Sequence, residues 1–132
     1  MASIFTKIVQ GEIPSYKIAE DEKFYAFLDI NPLSKGHTLV IPKKEVDYIF
    51  DLEDELLAEL NVFAKKIARA IEKVIECKRV AVAVYGLDVP HAHVHLIPLV
   101  KGNELNFTLE KLKLSQEEFV SIAESINKEF EK

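Results

Sequence analysis

Residues Pro90 to Pro98 read PHAHVHLIP, and this alternation constrains the fold more tightly than any other stretch of the chain. Side chains switch faces at every residue of a β-strand. His91, His93 and His95 therefore share one face, and Ala92, Val94 and Leu96 take the other. Successive histidine Cα atoms would lie about 6.7 Å apart at about 3.3 Å per residue. The apolar face must meet a core and the imidazole face a cleft or water. Only one other histidine, His37, occurs in 132 residues, so a random surface scatter explains the cluster poorly.

The rest of the chain supplies a core for such a strand. GEIP (Gly11 to Pro14) signals a turn, and SYKIAED and KFYAFLDI after it read as two short strands joined by an acidic turn. NPLSKG (Asn31 to Gly36) is a loop, HTLVIP (His37 to Pro42) a third strand and RVAVAVY (Arg79 to Tyr85) a fourth. Between them a helix is expected from Asp51, with Asp54 in its acidic first turn. Leu57, Leu60, Ala64, Ile67, Ile71 and Val74 form one face at spacings of three and four. Ser115 with Glu118 three residues on has the form of a capping box. It opens a last helix carrying Phe119, Ile122, Ile126 and Phe130. Sequential hairpins around one long helix predict an α+β domain over residues 1–132: an antiparallel sheet of about five strands, one long helix packed on it and a C-terminal helix.

Composition narrows the functional classes. The net charge is -5, and no block of Lys/Arg stands out beyond IPKKE, which argues against a duplex nucleic acid partner. No apolar run approaches the roughly 20 residues needed to span a bilayer, and no membrane partner is expected. The N-terminus lacks the layout of a secretory signal, and a single cysteine, Cys77, excludes an internal disulfide. A cytoplasmic protein is the expectation.

The aligned histidines admit two chemistries. Histidines at i and i+2 on a strand can converge on zinc, which would call for a further ligand, with Asp88 the nearby candidate. Alternatively, a neutral imidazole attacks an electrophile while its neighbours orient it and donate hydrogen bonds. The residues alone leave both open.

HAHVHLI matches at all seven positions the His-φ-His-φ-His-φ-φ signature (φ apolar) of the histidine-triad nucleotide hydrolases, and the chain resembles that family. IFTKIVQGEIPSYKIAEDEKFYAFLDINPLSKGHTLVIPKK is similar to the family's opening block, so the resemblance runs from about Ile4 to Val100. It implies the histidine-triad fold, a purine nucleotide substrate, no metal or other cofactor for the chemistry, and a homodimer whose two sheets join. It assigns His93 as the nucleophile that attacks the α-phosphorus, forming a nucleotidyl-histidine intermediate that water cleaves to a nucleoside monophosphate. His95 matches the donor to the phosphate oxygens. His91 and His37 match a hydrogen-bonded pair supporting the nucleophile. Asp29 matches the ribose-binding carboxylate, and Phe5, Ile8, Ile13, Phe27 and Ile30 the apolar slot around the purine. His95, rather than Gln, at the third triad position favours hydrolysis over nucleotidyl transfer.

Two departures stand out. Ser3 and Thr6 occupy the positions of a Cys-x-x-Cys that holds a structural zinc in many bacterial relatives, so that zinc is not expected. Leu87 and Asp88, before Val89 and Pro90, replace the usual Gln and Ser/Thr near the leaving group. Asp88 and Val89 are therefore counted with the nucleotide site. A carboxylate there would repel a polyphosphate and suit an amine leaving group, unless Asp88 only caps the turn. The expected activity is that of a nucleotide phosphoramidase or nucleotidyl hydrolase. The alternatives are a diadenosine polyphosphate hydrolase, a nucleotide-binding regulator with little turnover and a metal-dependent enzyme.

Overall fold

The computed structural model describes residues 2–132. Helix α1 (Ile4–Val9) precedes strands β1 (Lys17–Glu20), β2 (Phe24–Leu28) and β3 (Thr38–Pro42). A short 3-10 turn (Ile49–Asp51), helix α2 (Asp54–Val74) and strands β4 (Arg79–Ala83) and β5 (Val94–Leu99) follow, and helix α3 (Gln116–Phe130) closes the chain. The sheet is five-stranded with order β1-β2-β3-β5-β4, and every adjacent pair is antiparallel. The architecture is the α+β class expected from the strand and helix periods.

The two faces of the sheet have separate cores. Ala26, Leu28, Val40, Val94 and Leu96 pack with Leu60, Ala64, Ile67 and Ile71 of α2 and Phe119, Ala123 and Ile126 of α3. On the opposite face Tyr25, Phe27, Leu39 and Ile41 pack with Phe5 and Ile8 of α1. Covering on both sides is why every residue of β2 and β3 is buried. The apolar stripe of α2 faces the sheet as its spacing requires. Ser115 and Glu118 form the expected capping box, with Glu118 N–H donating to Ser115 Oγ at 3.1 Å.

Two local expectations are corrected, and one element is new. Helix α2 begins at Asp54, not Asp51, because Asp51 belongs to the preceding 3-10 turn. Strand β5 begins at Val94, so His91 and His93 lie on the approach to the strand and only His95 within it. The alternation nevertheless persists: Ala92 and Val94 join the α2 core, while the three imidazoles sit on the α1 side. Helix α1 was not anticipated, since six residues are too few for a helical period to emerge; Ser3 caps it by accepting from Thr6 N–H. Among the described residues no helix is long and apolar enough to cross a membrane.

Ile67 is fully buried, and truncating it to alanine should cost about 2–5 kcal/mol. The exposed Glu124→Ala on α3 should change stability by less than about 0.5 kcal/mol. Urea unfolding of the two variants measures the contrast; similar losses would mean that the α2 stripe is not the main core.

Candidate functional site: a histidine-lined cavity

A cavity of about 310 Å³ opens on the α1 side of the sheet. Phe5, Ile8, Ile13, Phe27 and Ile30 line it together with Asp29, His37, His93, His95, Asp88 and Val89. His91 does not line it and lies fully buried behind His93. Its size falls at the lower end of small-ligand sites, and most of its wall is apolar with a few polar groups converging at one end.

The proton position on three of the imidazoles follows from partners that can only donate or only accept. Leu33 N–H donates to His37 Nδ1 at 3.0 Å, so neutral His37 carries its proton on Nε2. His37 Nε2 lies 2.9 Å from His95 Nδ1, which must then accept, and His95 carries its own proton on Nε2. His93 Nδ1 is 2.7 Å from the carbonyl oxygen of His91, to which it can only donate. That leaves the lone pair of neutral His93 on Nε2. Among the described residues neither His93 Nε2 nor His95 Nε2 has a hydrogen-bond partner. No buried side-chain nitrogen or oxygen among the described residues lacks one, so both atoms open to the cavity. One presents an electron pair, the other a proton.

His91 plays a different part. Its Nε2–H donates to the Pro42 carbonyl at 2.8 Å, and its Nδ1 is paired with Ser3 Oγ at 2.8 Å. The hydrogen-bonded pair expected between His91 and His37 is not formed. His37 is bonded to His95, and His91 reaches His93 through its main-chain carbonyl. The loop Asp29 to His37 holds this pairing in place: His37 N–H donates to the Ser34 carbonyl, Asp29 N–H to the His37 carbonyl and Asn31 N–H to Asp29 Oδ1.

Burial favours the neutral forms. It pushes His37 down to about 3, with His95 beside it adding to the effect. It pushes His95 down to about 4, with His93 contributing. His93 is also lowered by burial, against the opposing pull of its bond to the His91 carbonyl and of Asp29. Burial raises the Asp29 carboxyl, offset by the Asn31 N–H bond.

Two possible metal centres can be judged by their donors. Asp29, His37 and His95 each bring a ligand atom within 4.8 Å of the others. The lone pair of His37 is already engaged by Leu33 N–H, and that of His95 by His37, so metal binding would break both bonds. Near α1, Ser3 and Thr6 hydroxyls surround His91 Nδ1 at 2.8 and 3.4 Å, and Thr6 Oγ1 donates to Glu45 at 2.6 Å. Two neutral hydroxyls do not fit zinc, which takes thiolate, imidazole and carboxylate ligands. Hydrogen bonds tie the start of α1 to His91 and Glu45 here instead.

Phe107 and Lys111 are among the lining residues that sequence reasoning missed. Phe107 meets the edge of His95 with ring centroids 4.9 Å apart, and Lys111 also lines the cavity. Both lie in an irregular segment between β5 and α3 that has no period to read, and nothing in the sequence separates Lys111 from Lys101 and Lys113. Leu87 is 77% exposed and turned away from the cavity, whereas Asp88 and Val89 next to it line the wall.

Fold and site define an α+β protein with a ligand-sized cavity built on neutral histidines. Residues 10–102 match the HIT domain, and the chain belongs to the HIT family. It is 39% identical over 135 residues to the adenosine 5'-monophosphoramidase hnt1 of Schizosaccharomyces pombe, covering 96% of this chain and 97% of that one. It is 40% identical over 101 residues to the adenosine 5'-monophosphoramidase HNT1 of Saccharomyces cerevisiae, covering 74% of this chain and 62% of that one. The crystal structure of a HIT-like protein from Bartonella henselae superposes with a TM-score of 0.85 at 33% identity, covering 96% and 95% of the two chains.

Nitrogen NMR should find the Nδ1–H tautomer for His93 and the Nε2–H tautomer for His37 and His95. Both of the latter should stay neutral well below pH 6. An unfolded histidine takes up its proton near pH 6.5, while folded His95 and His37 do so only near 4 and 3. The unfolded state therefore binds more protons in that window, and stability should fall as pH drops from about 6.5 towards 4. Titration of His37 or His95 at or above pH 6.5 would contradict the assignment.

Proposed function

We propose that the protein is a purine nucleotide phosphoramidase or nucleotidyl hydrolase that releases a nucleoside monophosphate through a nucleotidyl intermediate on His93. The observation that carries this reading is the free Nε2 of His93, held by the Nδ1–H bond to the His91 carbonyl. Membership of the HIT family and the likeness to two proteins named adenosine 5'-monophosphoramidase support the substrate class.

The purine enters the apolar slot between Phe5, Ile8, Ile13, Phe27 and Ile30, and the free oxygen of Asp29 accepts from a ribose hydroxyl. His93 Nε2 attacks the α-phosphorus while His95 Nε2–H donates to a non-bridging phosphate oxygen. The phosphorus–nitrogen bond breaks with its electron pair going to the amine, which takes up a proton from solvent as it leaves. Water then attacks the phosphorus and returns the electron pair to His93. Over the cycle one water is split, its hydroxyl going to phosphorus and its proton to the amine. His37 acts through His95 as a positioning residue, and His91 does so for His93. Asp88 on the cavity wall favours an amine leaving group over the anionic tail of a diadenosine polyphosphate.

Wild-type protein should hydrolyse adenosine 5'-phosphoramidate equally well with and without chelator, and His93→Ala should lose at least about a thousandfold in kcat/KM. Loss of wild-type turnover with chelator would favour a metal enzyme, and AMP binding without turnover a regulatory protein. Asp88→Ser should shift the activity ratio towards diadenosine polyphosphates; an unchanged ratio would remove Asp88 from leaving-group selection.

The same reading extends to a homodimer. Strand β4 is a sheet edge and carries the exposed Val82, with exposed Val84, Tyr85 and Leu87 following it and Phe50 nearby in sequence to α2. An open edge beside exposed apolar side chains suits two-fold pairing with a second copy. Light scattering should give about 30 kDa, twice the 15.0 kDa chain, and Val82→Lys should lower it towards one chain. A 15.0 kDa wild type would contradict the dimer.

A further inference from the structure

The polar end of the cavity has an unusual charge balance for a site that would receive a phosphate. Asp29 and Asp88 both line it, and the imidazoles of His37, His93 and His95 are held neutral by burial. A phosphate monoanion or dianion would meet two carboxylates and no imidazolium. Among the described lining residues one side chain carries a fixed positive charge: Lys111.

Lys111 belongs to the irregular segment that runs from β5 to α3 across the cavity. This strap is pinned at several points. Leu112 N–H donates to the Pro32 carbonyl at 2.8 Å, within the loop that positions His37. The Phe107 ring stacks on Tyr85 with centroids 5.1 Å apart and meets the edge of His95 at 4.9 Å. The Lys111 ammonium donates to the carbonyls of Phe107 at 2.7 Å and Leu109 at 2.9 Å. An ammonium has three donors, so one remains beyond these two carbonyls. The charge is felt inside the site, where Lys111 lowers the proton affinity of both Asp29 and His37.

We propose that Lys111 supplies the counter-charge for the α-phosphate of the bound nucleotide and is a specificity-determining residue that makes the cavity prefer a nucleoside monophosphate to the uncharged nucleoside. The assignment rests on the nucleotide reading above. It gives the strap a role: its carbonyls hold the ammonium in place while Phe107 packs against the histidine that donates to the same phosphate. It also separates the charges by task, with Lys111 on the α-phosphate and Asp88 on the leaving amine. A charge-assisted contact of this kind in a partly desolvated site is worth about tenfold or more in affinity.

Calorimetric titration of AMP and of adenosine against wild type, Lys111→Met and Lys111→Arg tests the assignment. Methionine keeps a long unbranched side chain and removes the charge. Lys111→Met should weaken AMP about tenfold or more and leave adenosine within about twofold, and Lys111→Arg should restore most of the AMP affinity. Equal weakening of both ligands would make Lys111 a brace for the strap and overturn the proposal, as would undiminished AMP binding by Lys111→Met. Wild-type turnover of adenosine 5'-phosphoramidate in the same preparation separates the two levels. Turnover with an insensitive Lys111→Met sinks the lysine assignment alone. A wild type that neither binds AMP nor turns over sinks the nucleotide reading and this assignment with it.

Discussion

A single hydrogen bond, from His93 Nδ1–H to the carbonyl of its neighbour His91 at 2.7 Å, fixes which nitrogen of the central histidine keeps its lone pair. An imidazole free to exchange tautomers would present a nucleophile only part of the time. The geometry around the bond keeps it in place. His91 cannot swing, because Pro42 and Ser3 hold its ring at both nitrogens, and Phe5 of α1 packs edge-on against both His91 and His93. The short N-terminal helix thus shapes the apolar slot and also locks the backbone that orients His93.

A second relay, independent of the first, runs from Leu33 N–H through His37 to His95. It begins at a main-chain donor that has no alternative protonation state, and that donor fixes the proton on His95 Nε2 through His37. This matters energetically. Histidines bearing charge in so buried a site would carry a desolvation cost, whereas a neutral relay costs little and still delivers one donor and one acceptor to the cavity. The remaining charge in the cavity comes from Asp29, Asp88 and Lys111, which lie on loops and the strap and not on the sheet.

Much of this was legible in the chain because it is encoded locally. The period of two in HAHVHL placed the imidazoles on one face, and the stripe from Leu57 to Val74 placed α2 on the other. The capping box at Ser115 marked the start of α3 to the residue. What stayed hidden is non-local or aperiodic. The pairing of His37 with His95 joins residues 58 apart, and no spacing rule distinguishes it from a pairing with His91. Helix α1 is shorter than two full turns, and the strap bearing Phe107 and Lys111 is held by backbone bonds and ring contacts that leave no pattern. The start of β5 was misread because the alternation continues past the point where ladder pairing with β3 ends, at Val94.

The central claim is that His93 Nε2 forms a bond to phosphorus. Rapid acid-free quench of protein mixed with a slowly hydrolysed adenosine phosphoramidate, followed by intact-mass and peptide mass spectrometry, addresses it directly. The account predicts a transient adduct of one adenylyl group, confined to the peptide bearing His93 and absent from His93→Ala. Turnover with no adduct at any time point, or an adduct on His91, His95 or His37, would contradict it.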